Sequence, residues 1–341
     1  MKTTFPFRDF FASRTGPRRP VTLYDWIIVA LLVGLAVLPP LAFSAGLTFW
    51  MDVCIRLVIL AIAAVSLNFI LGFGGMASFG HAAFIGLGAY AVGIPAHHAT
   101  YGGFELIATY NGIVHIVLAI LLSALFALIT GAVCLRTRGV YFIMITMAFG
   151  QMIFYAMVSM ETYGGDDGLT IDVRSELPGL DLANPLHLYG LCYVSLLVVL
   201  FVTRKFIDSR FGMVIRGAKE NEERMHAIGF DTYRYKLTAY VISGIICGYA
   251  GFLLGNFTTF ISPEMMDWTR SGELMFMVIL GGAAYLFGPL FGSMTFLLVE
   301  EVLSGITVYW HLPFGVLLIL TVLFMKGGIS GFFNRLSGTD G

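Results

Sequence analysis

Charge is what this sequence holds least of. Asp, Glu, Lys and Arg make up 12% of its 341 residues, about half the share usual in a soluble domain. Hydrophobic residues make up 58%, and mean hydropathy is +0.85. That balance excludes a soluble globular chain and leaves an integral membrane protein. Cysteine is scarce as well. Cys54, Cys134, Cys192 and Cys247 all sit in apolar runs without metal-ligand spacing and read as small packing residues. No lysine follows a glycine anywhere, which excludes a phosphate-binding loop of the GxxxxGK type. HExxH, CxxC and GxSxG are missing too. No catalytic residues, metal or cofactor are therefore expected in this chain.

What is present is a series of long apolar runs. A bilayer core of about 30 Å takes roughly 20 apolar residues per helix. Ten runs qualify: 24–43, 52–71, 78–97, 113–135, 139–160, 188–204, 235–258, 271–287, 289–306 and 308–325. The expected fold is an all-α integral membrane protein of about ten transmembrane helices. Residues 1–23 form a cytoplasmic N-terminal segment, 24–325 the membrane domain and 326–341 a cytoplasmic tail. No cleavable signal is visible, and the first apolar run is long enough to remain as a span. Alternating spans place seventeen of the twenty Lys and Arg residues on one face, leaving out Arg56, Arg174 and Arg270. By the positive-inside rule that face is cytoplasmic and holds both termini.

Eight of those basic residues fall between Arg204 and Lys236. Asp208 or Ser209 is placed to start a helix there and Gly229 to end it in a left-handed conformation. Phe211, Val214, Ile215, Ala218, Met225 and Ile228 recur at near-helical spacing, and Glu220 and Arg224 stand four apart for a side-chain pair. The segment reads as a short amphipathic helix under the membrane, or else as a solvated charged loop.

The opposite face is acidic. Its longest loop, about 161–187, holds Glu161, Asp166, Asp167, Asp172, Glu176 and Asp181 against Arg174, and Pro178 and Pro185 argue against a long helix. Gly164 and Gly165 allow backbone geometry closed to other residues, with Asp166 and Asp167 directly after them at the mouth of the fifth span. That placement makes these four a candidate external gate or docking surface; the plainer reading is a solvated loop.

Glycine organises two further stretches, LGFGGMASFGHAAFIGLGAY (71–90) and VILGGAAYLFGPLFGS (278–293), which share a faint parallel pattern. Tight or broken helices are tolerated at membrane depth where protein or a water-filled cavity covers the backbone. In the seventh span Gly244, Gly248, Gly251 and Gly255 read as a close-packing face. Asn68, Ser78, His81, Thr146, Gln151 and Asn256 lie in or beside spans, where each needs a partner or a cavity. The first five are candidates for a translocation pathway, although a lone histidine such as His81 is more often held by a local hydrogen bond. Glu300 and Glu301 read as the solvated outer end of the ninth span.

Five runs together resemble the branched-chain amino acid ABC transporter permease family (Liv-type, M subunit). They are LNFILGFGGMASFGHAAFIGLGAYA, RTRGVYFIMITMAFGQMIFY, YGGDDGLT, FGMVIRGAKENEERMHAIGFDTYRYKLTAYVISGIICGYAG and SGELMFMVILGGAAYLFGPLFG. They occur in the family's order across roughly residues 60 to 300. Tyr163 stands where the family often has Thr. The resemblance implies a permease subunit of an ATP-driven importer in the inner membrane, carrying branched-chain or related amino acids, or urea or short amides, by alternating access. Its implied partners are a second permease, two ATP-binding-cassette ATPases that hold ATP and Mg, an extracytoplasmic substrate-binding protein and membrane lipid, with no nucleic acid. It makes 204–236 the coupling loop and assigns Arg216, Lys219, Glu220, Asn221, Glu222, Arg224 and Gly229 to ATPase coupling. The residues alone also admit an ion-coupled carrier with its site at broken helices.

Overall fold

The computed structural model describes residues 23–103, 107–283, 285–325 and 327–336. Lys2, Arg8, Arg14, Arg18 and Arg19 of the basic N-terminal segment, and Lys326, lie outside the described residues. The helices are α1 (Leu23–Ser44), α2 (Thr48–Asn68), α3 (His81–Tyr101), α4 (Gly112–Cys134), α5 (Val140–Val158), α6 (Pro185–Ile207), α7 (Arg210–Glu220), α8 (Glu222–Ala227), α9 (Thr232–Thr258), α10 (Trp268–Gly281), α11 (Gly288–Ile306), α12 (His311–Phe324) and α13 (Gly328–Leu336). A π-wound turn (Phe69–Phe73), three short 3-10 turns and one antiparallel strand pair, β1 (Leu169–Thr170) with β2 (Phe260–Ile261), add to these.

Ten of these helices coincide with the ten apolar runs. Seven of them (α1, α2, α4, α5, α6, α9 and α11) have the length and composition to cross a membrane. Helix α3 has the length, but its composition is diluted by His81, His97 and His98. Helices α10 and α12 have 14 residues each, about 21 Å of rise. The run expected at 271–287 stops as helix at Gly281, because Gly282 turns the backbone to φ +106°.

Close backbone approach builds the core. Helix α9 packs most extensively on α3 and α4. A Cβ on Gly88 would overlap the Gly248 carbonyl, one on Gly248 the Ser123 hydroxyl, and one on Gly251 the Ile85 carbonyl. Gly244 faces Ala127 and Phe84, and Gly255 faces Ala89. The four glycines of α9 are thus a packing ridge, as their spacing predicts.

The two ends of the bundle differ in what they gather. At one end Lys219 meets Gly72, Arg138 meets Glu222, Gly282 meets Gly327, and the Tyr24 and Tyr285 rings lie 6.0 Å apart. At the other end β1 pairs with β2, and the Ser175 N–H donates to Asn256 Oδ1 at 2.9 Å. Helix α9 joins one set to the other, from Lys236 paired with Glu222 near its start to Asn256 near its end.

Glu300 is not a solvated helix end: its side chain is 17% exposed, and its Oε1 accepts from Arg56 Nη2 of α2 at 2.9 Å. An isolated charge at that depth is costly, and the pairing of opposite charges offsets it.

Two substitutions test this packing through thermal unfolding in detergent. Arg56→Met strands the Glu300 carboxylate and should cost about 2 kcal/mol, below the loss expected of a fully buried pair because Arg56 is partly exposed. Adding Glu300→Leu should recover most of that loss; a double variant weaker than the single would refute the pairing account. Gly88→Ala should lower stability by about 2 kcal/mol through overpacking, whereas Gly190→Ala, where a Cβ meets nothing within contact, should leave it unchanged.

Candidate functional site

The charged segment after α6 folds as two short helices. Ser209, not Asp208, starts α7: its hydroxyl accepts from the Gly212 N–H at 3.3 Å, while Asp208 closes α6. Val214, Ile215 and Ala218 form the buried face of α7. The expected single helix to Gly229 is broken at Asn221, whose backbone is extended at φ −154° and ψ 101°. Its side-chain oxygen accepts from the Arg224 N–H at 2.9 Å and so begins α8. Asparagine competes with the helix ladder in this way, which is why it favours helix starts. Glu220 and Arg224 lie on either side of the break, and no ion pair joins them among the described residues. Gly229 follows α8 with φ +92°, the left-handed turn its identity predicts.

The seven coupling candidates divide into two groups. Arg216, Lys219 and Glu222 make contacts within the chain. Arg216 Nη2 donates to the Ile207 carbonyl at 3.0 Å and holds the α6–α7 joint. Lys219 Nζ donates to the Gly72 carbonyl at 2.7 Å. Glu222 receives Lys236 Nζ at 2.8 Å, Arg138 Nε at 3.2 Å and the Thr232 hydroxyl at 2.9 Å. Burial pushes the Glu222 carboxyl up, but the Lys236, Thr232 and Arg138 contacts outweigh it and hold the group below the usual carboxylate range. Glu220, Asn221, Arg224 and Gly229 are exposed, as Arg216 and Lys219 also are beyond their contacts, while Glu222 is half-buried.

The pathway candidates gather around the first glycine turn. Asn68, Ser78, His81 and Thr146 are each at most 1% exposed. His81 Nε2 lies 3.1 Å from the Ser66 hydroxyl and 3.2 Å from that of Ser243, so this ring is held locally. Thr146 Oγ1 accepts from the Phe79 N–H at 3.3 Å, and the Ser271 hydroxyl accepts from the Ala82 N–H at 2.9 Å. Asn68 Nδ2 donates to the Tyr285 carbonyl at 3.0 Å and so ties the first glycine turn to the second. Gln151 stands apart: its Nε2 donates to Asp267 Oδ1 at 3.0 Å, joining α5 to the start of α10. Ser66, Ser243, Ser271 and Asp267 escaped sequence reasoning. For Asp267 a signal existed, since it directly precedes an apolar run as a helix cap does.

At the far end Gly164 and Gly165 adopt φ +86° and +49°, and the left-handed turn leaves Asp166 and Asp167 exposed. The loop then enters β1, with Leu169 opposite Ile261. Beyond it, Ser175 Oγ lies 2.7 Å from His115 Nδ1 of α4.

This arrangement is that of a multi-pass membrane protein with its helix breaks sealed inside and a charged, jointed helix pair at one end. A family model described as "Branched-chain amino acid transport system / permease component" matches residues 49–324, and the chain belongs to that family. It is 26% identical to the high-affinity branched-chain amino acid transport system permease protein LivM of Escherichia coli, over 95% of this chain and 80% of that protein. It is 25% identical to the probable branched-chain amino acid transport permease protein LivM of Methanocaldococcus jannaschii, over 79% of this chain and 89% of that protein. The probable permease protein LivH of the same organism is 26% identical over 42% of this chain and 49% of its own length. No solved structure matches. The chain is accordingly a permease subunit.

The depressed pKa of Glu222 sets a direction for acid. Its ion pairs contribute stability fully above the ordinary value of 4.5, and that contribution is lost as pH falls through the lower folded value. Thermal melts of the wild type should therefore fall on acidification below pH 4.5 more steeply than those of Glu222→Gln; parallel slopes would remove Glu222 from the account.

Proposed function

We propose that this chain is the transmembrane permease subunit of an ATP-binding-cassette importer in the inner membrane, moving branched-chain or related amino acids by alternating access. It works with a second permease, two ATPase subunits that hold ATP and Mg, and an extracytoplasmic substrate-binding protein. The observation that carries the proposal is the α7–α8 pair. Its apolar face is seated on the bundle, while Glu220, Arg224 and Gly229 are presented outward at the end that gathers the basic loops. A charged surface rigidly seated on a membrane bundle suits a subunit that receives motion from a soluble motor. Positive charge at that end supports a cytoplasmic placement for it and for both termini. The relatives' names supply the substrate class, with urea and short amides as the neighbouring chemistry. That two distinct permease proteins of one archaeon resemble this chain supports a paired assembly.

The exposed acidic turn at Gly164, Gly165, Asp166 and Asp167 is the face offered to the binding protein. Tyr141, Met144, Met152 and Tyr155, exposed along α5, form a face offered to the second permease. Asn68, Ser78, His81, Thr146 and Gln151 belong to the translocation pathway between the two permeases, which they shape from within this chain.

Purification of the chain under mild detergent should bring down an ATPase and a second permease. In the reconstituted complex, Glu220→Lys and Arg224→Glu should each reduce substrate-stimulated ATP hydrolysis by about tenfold, as for a charge reversed at an interface, with membrane insertion intact. Unchanged stimulation would remove α7–α8 from the coupling surface. Uptake that survives ATP depletion and collapses with an ion gradient would replace the importer by a carrier.

A further inference from the structure

Lys219 carries the charge expected of a contact with a soluble partner, yet its ammonium is turned into the membrane domain. Helix α2 finishes in a π-wound turn, Phe69–Phe73, a winding that recurs at functional sites. Within it the Met76 and Gly75 N–H groups bond to the Ile70 and Leu71 carbonyls at 2.9 and 3.1 Å. The next carbonyl, that of Gly72, receives Lys219 Nζ at 2.7 Å from 147 residues away in the sequence. The side chain is exposed on one side and closely packed on the other. A Cβ on Gly75, at φ +68°, would press on Lys219 Cγ, and Ile215 of the same helix lies against Gly74.

The contact continues inward. Gly72 packs so closely on the Ala283 carbonyl that a Cβ would overlap it, and Asn68 donates to the Tyr285 carbonyl. Beside this junction is a cavity of about 250 Å³, lined by Tyr24, Phe73, Ile207, Asp208, Tyr285 and Phe287. The joint thus has open volume on one side and a charged strut on the other.

We propose that Lys219 is a positioning residue that carries displacement of α7 into the first glycine turn and, through Asn68, into the second. The inner ends of α2 and α10 then move as one unit with the helix pair. A lysine that touched the ATPase would serve binding of the motor. A lysine bonded to Gly72 serves conversion of the motor's motion into transport. The inference rests on the importer reading, and the experiment separates the two.

The complete complex, with its ATPases and binding protein, is reconstituted in vesicles, and uptake of leucine and ATP hydrolysis are followed together for the wild type, Lys219→Met and Lys219→Arg. Met keeps most of the length and loses the donor. Lys219→Met should keep ATP hydrolysis within about twofold while uptake per ATP falls about tenfold, and Lys219→Arg should recover most of the ratio. If Lys219→Met fails to assemble, Gly75→Ala, which displaces the lysine stem from its other side, should show the same fall. An unchanged ratio in the assembled variant overturns the proposal. So does proportional loss of hydrolysis and uptake, which would place Lys219 at the motor contact. A wild-type complex that hydrolyses no ATP in response to substrate would overturn the importer reading itself, before any variant is compared.

Discussion

A polypeptide that interrupts its helices at membrane depth must satisfy the freed backbone groups from within the protein. In this chain that requirement falls on the two glycine turns. The first is reached by Lys219 at Gly72, by Thr146 at Phe79 and by Ser271 at Ala82. The second is reached by Asn68 at Tyr285. The glycines themselves let Gly72 press on Ala283 and Gly80 on Thr146, approaches that a side chain would prevent. Four of the five polar residues considered for a pathway, Asn68, Ser78, His81 and Thr146, are buried at this hub. Asn68 and Thr146 hold backbone in place there, His81 lies between the Ser66 and Ser243 hydroxyls, and Ser78 is buried beside them.

Charge is handled by the same economy. Within the bundle Arg56 and Glu300 neutralise each other across two helices. At the α7–α8 end Glu222 collects Lys236, Arg138 and the Thr232 hydroxyl, binding the α4–α5 turn, α8 and the start of α9 to one carboxylate. Exposed pairs such as Arg234 with Asp231 add little by comparison, since solvent screens them. Glu220 and Arg224, by contrast, stay exposed on α7 and α8 with no ion pair between them among the described residues.

The ten helices were readable because apolar length is a signal that each segment carries alone. Gly229, the packing role of the α9 glycines and the turn at Gly164 and Gly165 were readable for a related reason: one residue type meets one backbone demand. Contacts between distant segments were not. Nothing in the local pattern of Lys219 points to Gly72, and the amphipathic spacing of residues 211–228 ran straight across Asn221 because periodicity does not register a cap inside a short run. Arg56 and Glu300 left a trace, being opposite charges stranded in apolar segments, but their pairing required the packing of α2 on α11. The shortened α10 was hidden for another reason, since apolar residues continue past the glycine that ends the helix.

The small strand pair on the far side has a reach greater than its size. Leu169 and Thr170 belong to the acidic loop, while Phe260 and Ile261 belong to the linker that leads, through Asp267, into α10. Asp267 also receives Gln151 from α5, the helix from which the loop departs. The loop and the linker are therefore pinned to each other by the strand pair and, through Gln151 and Asp267, to α5 and the start of α10. The acidic loop is thereby tied to the start of α10, the helix whose far end is the second glycine turn.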